Sequence, residues 1–274
     1  MTAATYDVLG IGNAIVDILA RTEDGFLSGQ GMTKGAMALI DEARAAAIYQ
    51  AMGPATEISG GSAANTIAGL ADLGARTAFV GKVRDDQLGN VFSHDIRAAG
   101  VAFETRAASV GAATARCYVL VTPDGERTMN TYLGAAQDLS PADIDAEAVA
   151  AASILYLEGY LWDPKSAKEA FLKASQIAHG AKRQVALTLS DAFCVDRYRD
   201  EFLHLMRSRA VDLIFANEVE LHSLYQTSSF DTALAQLRKD VALGVVTRSE
   251  KGCVIATTDD VTAVPACPIE RLVD

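Results

Sequence analysis

The stretch "EISGGSAANTIAGLADLG", residues 57–74, decides how this chain is read. Two glycines and a serine run directly into an alanine-rich apolar segment. The pattern predicts a helix over 62–74, with Ser62 as its cap and Gly74 closing it. A helix start presents unpaired N–H groups and a partial positive charge. Gly60 and Gly61 let a ligand approach the backbone there unhindered. Asn65, one turn in, is expected to point back toward the helix start. An ordinary strand–turn–helix would use the same glycines merely to turn the chain. An asparagine on an otherwise apolar helix face needs a partner, which favours a small polar pocket on a rigid apolar support.

Working outward, residues 6–12 ("YDVLGIG") read as a buried strand and residues 41–52 as an amphipathic helix. Residues 77–83 read as a strand and 86–100 as a helix closed by Gly100. Residues 113–134 break this rhythm: two β-like runs flank Pro123, Asp124 and Gly125, the signature of a hairpin. Alternation then resumes. Strands are expected at 153–160, 184–190, 211–217 and 243–249. Helices are expected at 164–180, around 202–208, at 218–226 and at 231–240, with a closing hairpin over 252–264. Alternating strands and helices predict an α/β fold, three-layer α/β/α with a mostly parallel central sheet. Segments at about 14–40 and 101–133 do not fit the alternation and are expected to form a small β-sheet lid. All of residues 1–274 are read as one domain.

Composition narrows the function. Lys and Arg number 24 against 35 Asp and Glu, a net charge of −11, so nucleic acid is not an expected partner. The four cysteines, Cys117, Cys194, Cys253 and Cys267, form no CxxC pair. They read as reduced thiols rather than a disulfide framework or zinc site. The four histidines show no metal-ligand spacing. No signal peptide and no uncharged membrane-length run is apparent, so a cytoplasmic protein with no membrane partner is expected.

Further constellations sit at predicted strand ends, where ligands of open α/β sheets bind. "GIGNAIVD" has Ile15 where a dinucleotide fingerprint needs its third glycine, which argues against a dehydrogenase. It leaves Asn13 and Asp17, which would fix adjacent sugar hydroxyls or simply form a turn with a capping Asp. "NEVE", residues 217–220, puts Asn217 and Glu220 on one helix face, suited to a hydrated Mg2+ and its phosphates or to plain helix capping. "VVTRSEKG", residues 245–252, ends a strand in Thr247, Ser249 and Gly252, near which nucleotide phosphates would lie. Arg127, in the hairpin, would reach a transferring phosphoryl group or remain solvated. No G-x-S-x-G or P-loop pattern occurs.

Taken together, these motifs resemble the ribokinase-like, phosphofructokinase-B type family of carbohydrate and nucleoside kinases. Residues 60–89 are similar to its N-terminal signature, "GNAIVD" to its substrate-binding start and "NEVE" to its N-x-x-E motif. The resemblance implies ATP-dependent, Mg2+-assisted phosphorylation of a primary hydroxyl. Asn13, Asp17, Gly60, Gly61, Ser62 and Asn65 would hold the acceptor. Arg127 would steady the phosphoryl group, Asn217 and Glu220 would organise Mg2+, and Thr247, Ser249 and Gly252 would lie near ATP. "GNAIVD" followed by "GGSAANT" looks closest to adenosine kinases, with Met37 and Leu39 lining a purine pocket or packing in the core. A ribose, fructose or ketodeoxy-sugar kinase is the alternative, and a non-catalytic sugar-binding protein the rival from another class. Asp274 resembles the first residue of the family's D-x-x-G-A-G-D motif, whose last Asp is the general base. A C-terminally truncated, inactive chain is therefore expected. The lid's strand edges would allow a homodimer.

Overall fold

The computed structural model describes residues 4–269. The strands are β1 (Tyr6–Ile11), β2 (Ile15–Arg21), β3 (Met37–Leu39), β4 (Thr56–Gly60), β5 (Thr77–Val80), β6 (Ala102–Phe103), β7 (Ala115–Val121) and β8 (Arg127–Tyr132). They continue with β9 (Ala152–Glu158), β10 (Gln184–Thr188), β11 (Leu213–Asn217), β12 (Leu243–Thr247), β13 (Cys253–Thr257) and β14 (Val261–Val264). The α-helices are α1 (Asp24–Gly29), α2 (Glu42–Ala51), α3 (Ser62–Asp72), α4 (Gln87–Ala98), α5 (Ala146–Ala150), α6 (Lys165–Gly180), α7 (Ala192–Arg207), α8 (Glu218–Tyr225) and α9 (Phe230–Asp240).

Two sheets result. The larger runs β14-β13-β12-β11-β10-β9-β1-β5-β6. From β6 to β12 its neighbours pair in parallel, and β13 and β14 close one edge antiparallel. Parallel strands need crossover helices on both faces, so their residues must be apolar on both sides. β1 shows how. Leu9 and Ile11 enter one core cluster with α6 to α9, while Gly10 faces the other way, against α3. A Cβ on Gly10 would lie 2.5 Å from the Ile67 side chain, so α3 packs directly on the strand backbone. A second cluster joins α2, α3 and α4 to the smaller sheet around the packed rings of Phe79, Phe92 and Phe103.

The smaller sheet, β3-β8-β7-β2-β4, is the expected lid with revised membership. β4, just before the glycine pair, belongs to it and lies outside the predicted boundaries; it pairs antiparallel with β2 along Ile15–Leu19. β6, inside those boundaries, pairs instead with β5 in the large sheet. β4 alternates exposed and half-buried residues, a half-solvated strand whose weak apolar pattern hid it. α7 begins ten residues before the predicted 202. Asp191 accepts from the Cys194 N–H at 2.6 Å and caps the helix, and a non-helical Tyr198 divides it. That kink and the charged residues around it obscured the periodicity.

Candidate functional site

Residues 12–14 carry the chain from the large sheet into the lid, and the site is organised around this passage. Asn13 is 3% exposed. Its main-chain N–H and its Nδ2 both donate to Glu158 Oε2, at 2.7 and 2.8 Å. Glu158 Oε1 accepts from the Ala63 N–H at 2.9 Å in the first turn of α3, and the Ser62 hydroxyl also bonds this carboxyl. Burial pushes the Glu158 carboxyl up, against the downward pull of these donors. Glu158, at the end of β9, therefore does the capping expected of Ser62. The helix's own N-cap is Gly61, which has no side chain to offer, and Ser62 is already the first helical residue.

This network orients Asn13. With Nδ2 held by Glu158, Oδ1 is left as an acceptor, buried and without a partner among the described residues. A buried acceptor in this condition costs about 1–3 kcal/mol unless a ligand donates to it. Asp17 supplies a second acceptor. A Cβ on Gly60 would lie 2.2 Å from Asp17 Oδ2, so the carboxylate rests directly over a glycine backbone that nothing larger would leave open. Burial lifts the Asp17 carboxyl to about 6, opposed by the charge of Arg127. Gly61 has a φ of 102°, and a Cβ there would meet the Asn13 carbonyl oxygen at 2.4 Å. Conformation and space thus both demand glycine.

These groups face one cavity of about 750 Å³ beneath the lid. Asn13, Asp17, Gly61, Ser62 and Asn65 line it together with Met37, Leu39, Met129 and Arg127 from the lid; Gly60 lies behind Asp17. Asn65 is exposed on the helix face carrying Ser62, opposite buried Ala63, Ala64 and Ile67. It therefore belongs to a polar face rather than an apolar one. Met37 and Leu39 are 44% and 54% exposed, so they are cavity wall, not core. Cys117 also lines the cavity, its thiol pushed up to about 11 by burial, which makes it a poor nucleophile. The sequence reading missed Glu158, Tyr160, Asp163, Asp191, Phe193, Leu133 and Arg197, which complete the wall. The available signal was a lone Glu ending an otherwise apolar strand and an aromatic residue just after a helix cap.

The remaining candidates form a second group on β11 and β12, outside this cavity's lining. Asn217 ends β11 and is the cross-strand neighbour of Thr247 at the end of β12. Asn217 and Glu220 form a reciprocal capping box: Asn217 Nδ2 donates to Glu220 Oε1 at 2.7 Å, and Asn217 N to Oε2 at 3.0 Å. The Glu220 N–H donates back to Asn217 Oδ1 at 2.8 Å. Glu220 is 4% exposed, and burial pushes its carboxyl up. Ser249 and Gly252 shape the tight β12–β13 connection, with φ of 53° and 84°. A Cβ on Gly252 would meet the Val264 carbonyl oxygen at 2.0 Å. No cluster of three His, Cys, Asp or Glu suited to a metal occurs among the described residues. Mg2+ keeps several waters and needs only one or two protein carboxylates. Glu220, with both oxygens already accepting from Asn217, fits it through a water rather than as a direct ligand. Asp274 lies outside the described residues.

A strand-end cavity roofed by a small second sheet, with fixed acceptors at its floor, defines a small-molecule site on a ribokinase-like α/β fold. The sequence pattern of the "pfkB family carbohydrate kinase" matches residues 46–274. The adenosine kinase of Sinorhizobium meliloti is 54% identical, with a TM-score of 0.92 over 99% of this chain and 83% of that one. A probable sugar kinase of Rhizobium etli CFN 42 is 52% identical, with a TM-score of 0.92 over 99% of this chain and 82% of that one. Among curated proteins, fructokinase-1 of Oryza sativa subsp. japonica is 28% identical over 219 residues, 78% of this chain and 68% of that protein. The chain spans 61% of the length of fructokinase-2 of Solanum lycopersicum, at 27% identity over 71% of this chain. The chain belongs to the pfkB family of carbohydrate kinases.

Proposed function

We propose that this protein is a kinase that transfers the γ-phosphoryl group of ATP to the primary hydroxyl of a nucleoside, adenosine, yielding AMP. One observation carries the reading. Asn13, with its unpartnered Oδ1, and Asp17, with its carboxylate, line the same cavity, which continues past Glu158 to an aromatic wall. A ribose donating two adjacent hydroxyls satisfies both acceptors, and the attached base occupies the rest. The 54% identity to the adenosine kinase of Sinorhizobium meliloti supports the same substrate.

In this reading Asn13 and Asp17 anchor the diol, the Gly60–Gly61 backbone sets its depth, and Asn65 adds a polar group at the start of α3. Holding the acceptor rigidly is itself much of the catalysis of phosphoryl transfer. Arg127, facing the cavity from β8, meets the charge on the phosphoryl oxygens. Asn217, Thr247, Ser249 and Gly252 hold the nucleotide. Mg2+, organised through Glu220, neutralises phosphate charge when bound. The carboxyl ends of adjacent strands β11 and β12 suit this role, because their polar residues sit side by side.

A sugar kinase is the second reading, favoured by the fructokinase similarity and because the same acceptors serve any vicinal diol. The test is an ADP-release screen of the protein against adenosine, other nucleosides, ribose, fructose and ketodeoxy-sugars. Adenosine is expected to exceed ribose in kcat/KM by at least about 100-fold, since a site built to bond specific groups rejects ligands lacking them. Faster turnover of a free sugar would establish the alternative. Ligand binding with no ADP release from any acceptor would leave only a binding protein.

A further inference from the structure

An ion pair bridges the two strand exits proposed to hold the nucleotide. β11 and β12 run parallel, and their last ladder pair is Asn217 and Thr247. Past that pair no backbone hydrogen bond joins the exits among the described residues. α8 leaves from one strand and the β12–β13 turn from the other, and Arg248 spans the gap. Its Nε donates to Glu218 Oε2 at 3.1 Å and a terminal nitrogen to Oε1 at 3.0 Å. Its guanidinium carbon lies 3.7 Å from the ring centre of Phe230, the first residue of α9. The two charged side chains are 23% and 24% exposed. Glu218 is available for this role because the capping box of α8 uses Asn217 and Glu220 instead. On the other side the turn closes on itself. The Arg248 N–H donates to the Gly252 carbonyl at 2.8 Å, and the Gly252 N–H to the Ser249 carbonyl at 3.0 Å. Ser249 holds a φ of 53°, a conformation that a residue with a Cβ keeps only where its surroundings over-determine it.

We infer that Arg248 is a positioning residue for the nucleotide: gripping Glu218 with two hydrogen bonds and stacked on Phe230, it fixes the β12–β13 turn, with Thr247 and Ser249, against Asn217 and Glu220. The inference rests on the kinase reading above, which puts ATP across these exits. Its physical basis is stiffness. A turn closed only on itself is free to rock about the end of β12 and carry Ser249 with it. Two parallel hydrogen bonds from a planar fork resist that rotation, which a single point charge does not. The Phe230 ring holds the plane of the fork. Phosphoryl transfer is mostly positioning, and a displacement on the order of 1 Å costs about 100-fold in rate.

Isothermal titration with two probes tests this: the Mg2+ complex of β,γ-imido-ATP, and methyl β-D-ribofuranoside for the diol site. ADP release supplies the KM for ATP. Arg248→Met is expected to weaken the imido-ATP complex at least about 10-fold, the loss of one hydrogen bond to a charged group, and to raise the KM for ATP alike. It should leave methyl riboside within about twofold, since nothing near Asn13 and Asp17 has changed. Arg248→Lys keeps the charge but not the planar fork, and should recover only part of the loss. Arg248→Met also strands the Glu218 charge, so its urea midpoint should fall. Adding Glu218→Gln removes the stranded charge and should restore most of the midpoint while the nucleotide defect persists. Recovery of nucleotide affinity together with the midpoint would mean that the pair only stabilises the fold, and overturns the inference. An equal loss for both probes overturns it too. If the parent binds the imido-ATP complex and Arg248→Met binds it unchanged, the inference fails while the kinase reading stands. If the parent neither binds that complex nor releases ADP, the kinase reading falls and the inference with it.

Discussion

Gly60 offers the sharpest test of the site, because its reason for being glycine is a single side chain. A Cβ there would lie 2.2 Å from Asp17 Oδ2, 2.3 Å from Cγ and 2.7 Å from Oδ1. Its backbone is ordinary strand, paired with Ile15 and free of positive φ. Gly60→Ala must therefore displace the carboxylate, at an overpacking cost of about 1–3 kcal/mol. In an Asp17→Ala background the obstacle is gone. The same substitution should then be neutral or stabilise by about 0.4–1 kcal/mol, through the reduced freedom of the unfolded chain. The double-mutant cycle, read by urea unfolding, should show a coupling of about 1–3 kcal/mol. Ligand binding gives the second reading. Asp17→Ala should weaken methyl riboside about 10- to 100-fold, as expected for a hydrogen bond to a charged group. Gly60→Ala should approach that loss alone and add nothing to it in the double variant. Stability costs that add to within about 0.5 kcal/mol would refute the argument, because they would mean that Gly60 and Asp17 do not compete for space.

Three further expectations follow from the same geometry. Asp17 titrates near 6, so diol affinity should be full above that pH and fall as the carboxyl protonates below it; the fall should vanish in Asp17→Asn. Because that carboxyl is raised in the folded protein, its ionisation costs stability as pH rises from about 4 through 6. Asp17→Asn should accordingly melt higher than the parent at pH 7.5, while a lower melting temperature would contradict the assigned cause. Glu158→Gln replaces an acceptor oxygen by an amide donor opposite either Ala63 N–H or the two Asn13 donors. It should destabilise by about 1–3 kcal/mol in urea unfolding and loosen methyl riboside with it, and an unchanged midpoint would remove Glu158 from the network. Gly61→Ala combines a φ of 102° with a 2.4 Å contact to a carbonyl oxygen. A loss of at least about 3 kcal/mol, some 6 °C or more in Tm, is expected, and a smaller shift by calorimetry would show that the turn can relax.

Much of this fold was legible because its elements are locally written. The apolar runs around Leu9, Leu155, Leu187 and Ile214 are buried on both faces, and terminal glycines closed the helices between them. β4 escaped notice because a half-solvated edge strand carries little apolar signal. α7 escaped in part because its cap, Asp191, and its kink at Tyr198 lie where the amphipathic pattern is weakest. The candidate site divides in the same way. Asn13, Asp17, Gly60, Gly61 and Asn65 lie within 52 positions of one another and stood out by type and spacing. Glu158 stood out only as a lone acid ending an apolar strand, and nothing local ties it to Asn13, 145 positions away, or Arg197 to Asp163, 34 apart. A contact across a fold depends on where distant elements are brought together, not on any one segment.

From sequence alone came the alternation of strands and helices, and with it a parallel sheet. So did the glycine pair whose bare backbone required something to approach it. Only the tertiary structure decided which carboxylate caps the helix after that pair, that Asn13 spends its Nδ2 on Glu158 and keeps an unpartnered Oδ1, and that an aromatic wall lines the same cavity. Those outcomes depend on the order β1–β9–β10 in the sheet. Strand order is set by long-range packing, which no window of consecutive residues contains.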